Sequence, residues 1–241
     1  MALGQTVGKQ VFDDVGASSS FSFGTGPAAG STVVVAFWGW HAAGYDASSV
    51  TDNQGNSYSL IKPTGAGHSM GVIAFAANVA SSGTFTITIN HASGTGNYVV
   101  ATAAEFTGLA SSPADQSATA SDPGPQANDA TVTSGATTQA DEVVVAVAAV
   151  AVSGSTNLAI TTPAGFTNLA VEQNHNAHCG GSADFKIVAA TGAQTAAWSH
   201  NDVGSSADDG WTAAVLTLKA TAVAALFPPF LSREPTTQLR M

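Results

Sequence analysis

Apolar residues along this chain fall in short runs with a two-residue period, separated by clusters of Gly, Pro, Asn, Asp and Ser. The runs Ser31-Thr-Val-Val-Val-Ala-Phe37 and Asp141-Glu-Val-Val-Val-Ala-Val147 are rich in β-branched residues and read as buried strands. Thr84-Phe-Thr-Ile-Thr-Ile89 alternates polar and apolar positions, as a strand with one buried face does, and Gln194-Thr-Ala-Ala-Trp198 reads as its counterpart strand. Turn clusters stand at Asp52-Asn-Gln-Gly-Asn56, Ser81-Ser-Gly83 and Pro163-Ala-Gly165. No segment keeps a capped helical period beyond a turn or two. The Ala-rich stretch 143–152 could be read either way, and its Val content favours a strand. The pattern predicts an all-β protein of antiparallel sheets.

The pattern also repeats. Val33 and Val143 stand 110 residues apart, and the same offset joins Gly55 to Gly165, His68 to His178 and Phe75 to Phe185. One residue fewer joins His91 to His200, and the closing runs 97–106 and 210–218 bring Trp211 opposite Tyr98. Landmarks recurring in one order predict two tandem β-sandwich domains, jelly-roll or immunoglobulin-like, derived from one by duplication. The expected boundaries are 1–110 for the first and 111–219 for the second. Residues 111–128 form the linker because Pro113, Pro123 and Pro125 break regular structure there, and Ala130-Thr-Val-Thr133 is a first strand of the second copy. Residues 220–241 remain as an extended, Pro-rich C-terminal tail.

Composition narrows the function. Only 9% of residues are charged, against roughly 25% in an average domain, while 44% are hydrophobic, so the chain folds and carries a neutral surface. A net charge of −10 with six Lys plus Arg leaves no basic patch for phosphate, so neither nucleic acid nor an anionic membrane is expected as a partner. The one cysteine, Cys179, excludes a disulfide within the chain. The N-terminus shows no apolar run of signal-peptide length, which predicts assembly in a host cytoplasm rather than export.

Candidate chemistry is sparse. His175, His178 and Cys179 have the spacing of zinc ligands, but a strand shows only alternate residues on one face and no fourth ligand lies near in sequence, so no metal is expected. Asp52-Asn-Gln-Gly-Asn56 has a glycine two places early for a calcium loop and Pro63 where the bidentate Glu belongs, so it reads as a tight turn. No Gly-x-Ser-x-Gly elbow or phosphate loop is present, and acids such as Asp184, Asp202, Asp208 and Asp209 are scattered. The expectation is a protein without catalytic residues, metal or cofactor. Trp38, Trp40, Trp198 and Trp211 are expected in the core. Trp40 and Tyr45, flanking His41, are the pair that would contact a glycan if the protein were a lectin-like or adhesin module.

The tail carries Leu226, Phe227, Phe230 and Leu231 around Pro228 and Pro229, with Arg233 and Arg240 in an otherwise acidic chain. It cannot be helical and is expected to run extended against a neighbouring chain, making these eight residues the partner-binding candidates.

The succession Gly30-Ser-Thr-Val-Val-Val35, Val50-Thr-Asp-Asn-Gln-Gly-Asn-Ser-Tyr58, Ala76-Ala-Asn-Val-Ala80, Thr84-Phe-Thr-Ile-Thr-Ile89 and Ala104-Glu-Phe-Thr-Gly-Leu109 resembles a β-sandwich module of bacteriophage structural proteins and bacterial extracellular proteins. It covers residues 20–110 and, more weakly, the second copy. The resemblance implies a role in a virion or on a cell surface and brings no catalytic residues. With no leader and no chemistry, the favoured reading is a virion structural accessory protein, a capsid decoration (cement) protein or head fibre. Its partners would be the major capsid or another virion protein and copies of itself, a trimer being favoured by assembly geometry.

Overall fold

The computed structural model describes residues 1–41, 44–64, 68–92, 97–122, 129–151, 158–175, 178–201 and 210–222, and these contain strands and no helix. The strands are β1 (Ala2–Val15), β2 (Ser18–Phe23), β3 (Thr32–Trp40), β4 (Ala47–Asp52), β5 (Ser59–Ile61), β6 (Ser69–Ala76), β7 (Phe85–His91), β8 (Asn97–Thr107), β9 (Leu109–Asp122), β10 (Asp129–Ala136), β11 (Asp141–Ala151), β12 (Thr167–His175), β13 (Cys179–Ala189), β14 (Ala193–Ser199) and β15 (Trp211–Ala220). All pairings are antiparallel.

They build four sheets. A five-stranded sheet ordered β1-β8-β3-β6-β5 faces a three-stranded sheet β2-β7-β4, and a five-stranded sheet ordered β9-β15-β11-β13-β12 faces a two-stranded sheet β10-β14. The second large sheet thus follows the strand order of the first. Three cores separate the layers. Phe21, Phe23, Ile87 and Ile89 pack on Val33, Val35, Phe37 and Val72 in the first sandwich. Val132, Ala196 and Trp198 pack on Val144, Ala146 and Val215 in the second. Between them, Val34, Trp38, Ile73 and Phe106 of one large sheet meet Val145, Val147, Phe185 and Leu216 of the other.

This middle core explains the valine runs. A sheet with one wet face alternates; β3 and β11 are buried on both faces, so nearly every position is apolar. The 9% charge has the same origin, because both large sheets, central to the stack, show little surface to water. The two sandwiches are therefore layers of one stack rather than separate bodies.

Two expectations need correction. Residues 111–122, placed in the linker, belong to β9 (Leu109–Asp122), the edge strand paired to β15. Pro113 is tolerated because an edge strand has a side that needs no N–H donor. The halves join at Gly108, whose φ of 72° lets β8 turn directly into β9. Cross-strand pairing also shifts the alignment by a residue in places. Phe75 pairs with Val34 and Phe185 with Val145, so Val34 answers to Val145; Val33, facing its own sandwich, does not share the environment of Val143, which faces the middle core. Trp211 answers to Val99 rather than Tyr98 by the same pairing.

Candidate functional site

Strand direction gives the stack two poles. At one, β8 begins and β3, β12 and β14 end; at the other, β8 and β15 end while β1, β9 and β11 begin. The eleven residues of β8 span roughly 35 Å between them.

At the first pole, rings from both halves stack. Trp40 and Tyr98, paired on β3 and β8, meet His178 at centroid distances of 4.1 and 5.2 Å, and His68 lies 6.0 Å from Trp40. His175 sits 5.3 Å from Tyr98, and its Nε2 lies 2.5 Å from Asp13 Oδ1 on β1. Burial, then the neighbouring His175, lowers the His178 pKa below the usual imidazole value. Lys9 of β1 bonds Glu172 of β12 at 2.7 Å beside this cluster. These contacts clasp the two halves together where their large sheets end.

The sequence paired Trp40 with Tyr45, and the structure separates them. Tyr45 is 2% exposed and its hydroxyl bonds His91 Nδ1 at 3.2 Å, while His91 Nε2 bonds Ser19 Oγ at 3.0 Å. Burial lowers the His91 pKa and raises that of Tyr45. Ser19, His91 and Tyr45 have the spacing of a nucleophile, base and orienter, but all three are buried, and they act as a polar plug at the end of the first sandwich core. Tyr45 has no face to offer a sugar. Trp38, Trp198 and Trp211 are buried, and the half-buried Trp40 is covered by His178.

The side chains of the His-x-x-His-Cys run diverge. Cys179 faces the middle core, where burial pushes its thiol up to about 12, His178 stacks on Trp40, and His175 turns to Asp13. Asp52 spends its carboxylate on its own turn, accepting from the backbone N–H of Gln54 at 2.9 Å and Asn56 at 3.1 Å and from the Tyr58 hydroxyl at 3.0 Å. Asp184 is fully buried and accepts from Trp198 Nε1 and Ser182 Oγ at 2.7 Å each and from Asn168 Nδ2 at 2.9 Å; burial raises its pKa, and these donors oppose that rise. Asp202, Asp208 and Asp209 lie outside the described residues.

At the second pole the chain's junctions converge. Gly108 lies against Met1, so close that a Cβ there would sit 2.9 Å from Met1 Cα. Thr221, just past β15, donates from its N–H to Gly108 O and from its hydroxyl to Leu109 O, both at 2.9 Å. Gln139 Nε2 reaches Ala220 O at 3.2 Å, and a cleft of about 320 Å³ lined by Gln139, Asp141, Ala220, Thr221 and Ala222 opens where the described chain ends. The partner-binding candidates Leu226, Phe227, Pro228, Pro229, Phe230, Leu231, Arg233 and Arg240 follow in sequence from this point and lie outside the described residues.

No protein-family model, curated protein or solved structure matches this chain.

Proposed function

We propose that this protein is a virion structural accessory protein, a capsid decoration protein or head fibre, acting without catalysis through assembly contacts of its C-terminal segment 220–241. The observation that carries the reading is the convergence of Met1, Gly108 and Thr221 on one pole, with the apolar, Arg-bearing segment continuing from there. Such a body attaches by one end and presents the clasped loop pole about 35 Å away. The outer faces of the small sheets suit crowding on a shell: Ser20 with Thr88, Ser22 with Thr86 and Thr133 with Thr195 form neutral hydroxyl pairs at 2.8 to 2.9 Å. A virion protein of the shell and further copies of this chain are the partners in this reading, with assembly in the host cytoplasm.

The two sandwiches are read as tandem domains, 1–108 and 109–222, that arose by duplication. Matching strand order supports this, as do Gly55 and Gly165 with φ of 78° and 79°, and Gly71 and Gly181, each set where one large sheet touches the other.

Deleting 226–241 tests the function. The shortened chain is expected to keep its β-sheet circular dichroism and melting temperature and to lose incorporation into particles; normal incorporation overturns the reading. A glycan-binding role has weaker footing, since the aromatic cluster that the described residues form at the loop pole is already stacked on itself.

A further inference from the structure

The two small sheets differ by one strand. In the first sandwich, β7 is flanked by β2 and β4, and its remaining edge is closed by Asn53, which exchanges backbone and side-chain hydrogen bonds with Thr86 at 3.1 and 2.9 Å and reaches Thr84 O at 2.9 Å. In the second, among the described residues, β14 has β10 on one side only. The place of β4 is taken by a single bridge, Ile160 to His200, with Thr161 N–H bonding Ser199 O at 3.0 Å. Thr162-Pro-Ala-Gly165 brings no equivalent of Asn53.

The direction of the open groups follows from alternation. Gln194 N–H points to β10, where it meets Ser134 Oγ, and Ser199 N–H points the other way, to Thr161 Oγ1. Thr195 and Ala197 therefore direct their N–H and C=O groups to the outer edge, where no hydrogen bond among the described residues meets them. Three edges of the large sheets are guarded by bulges: β1 has three register shifts, β9 and β12 two each. Along β14 the sequence Ala193-Gln-Thr-Ala-Ala-Trp-Ser199 has neither charge nor proline, and a notch of about 270 Å³ lined by Ala159, Thr161, Ser199, His200 and Asn201 ends the edge with room for one large apolar side chain.

Resting on the assembly reading above, we infer that the open edge of β14 is a strand-addition site filled by residues 223–227 of a neighbouring copy of this chain. Val223-Ala-Ala-Leu-Phe227 is strand-competent and proline-free, and five residues match the five of 194–198. Pro228 and Pro229 then end the ladder. Thr221 is pinned at the tail pole by Gly108 and Leu109 on the β9 side of the large sheet, and in an antiparallel arrangement like β4 on β7 the added strand enters from the loop pole. The neighbour's segment meets that direction without crossing its own body.

Hydrogen exchange of the β14 amides, with sedimentation to set the oligomeric state, tests this on the full chain, on Ala225→Pro and on a chain ending at Ala222. In the assembled full chain, Thr195 and Ala197 are expected to exchange about tenfold more slowly than in either variant, and the protection is lost on dilution to monomer. Equal exchange in all three chains overturns the inference, as does protection that survives dilution, which would mark filling by the chain's own tail. Assembly by Ala225→Pro with β14 unprotected overturns it too, yet leaves the tail's role in attachment standing.

Discussion

Asp184 and Glu142 show how acids can sit in the interior of a chain so poor in charge. Asp184 holds Trp198, Ser182 and Asn168 at once, tying the two-stranded sheet to β13. Asp184→Ala leaves two buried donors, Trp198 Nε1 and Ser182 Oγ, without their acceptor, and a loss of about 3 kcal/mol in urea unfolding is expected, with Asp184→Asn costing less because it keeps the shape and one acceptor. Glu142 is buried at the foot of the same sandwich, within reach of Thr217 and Asp115, and burial pushes its pKa up to about 7. Burial also works against Asp115 as an anion, but the Thr138 N–H and hydroxyl, at 2.6 and 2.7 Å, hold it below the usual carboxylate range. Between pH of about 4.5 and 7 the folded protein keeps a proton on Glu142 that the unfolded chain has lost. Its contribution is therefore full at the acid side of that window, falls as pH rises through it, and is flat above. Thermal melts of Glu142→Gln against the parent should show a difference that changes across this window; parallel curves would refute the assignment. Neither acid was legible as structural in the sequence, because what defines each is a partner on another strand: Trp198 lies 14 positions from Asp184, and Asp115 had been placed in a linker.

Among the strands, periodicity carried most of what could be read. The valine runs, the alternating strands and the turn at Asp52 are set by local chemistry and stand where the sequence put them. β1 and β9 were missed because edge strands with bulges and a proline lack a clean two-residue period. The Trp40 cluster was half legible: the matched histidines His68 and His178 marked one end of both halves, but local spacing favoured Tyr45 over the distant Tyr98 and His178. Glycines mark the contact between large sheets. A Cβ on Gly181 would lie 2.6 Å from both Ala148 O and Trp38 Nε1, whereas one on Gly71 would lie 3.3 Å from Ala149 N. Gly71 N–H also bonds Thr212 Oγ1 across the sheets at 2.8 Å. Gly181→Ala is expected to lower stability by about 2 to 3 kcal/mol and Gly71→Ala by less than half of that, read from denaturant midpoints, because contacts at 2.6 Å force backbone and ring to shift whereas one at 3.3 Å asks only a few tenths of an ångström. Equal costs would mean that the sheets do not press together at Trp38.

At the scale of the molecule, four layers place the two most apolar sheets inside and the two hydroxyl-bearing sheets outside, with the clasp at one pole and the chain junctions at the other. The middle core has a consequence for how this sequence can change over time. In an ordinary sandwich each strand offers every second position to water, where substitutions cost little. Along β3 and β11 one residue faces a sandwich core and the next faces the middle core, so these strands hold almost no neutral positions. Drift is thereby pushed outward to β2, β7, β10, β14 and the loops, and two descendants of this chain should differ most on their outer faces while their centres stay alike.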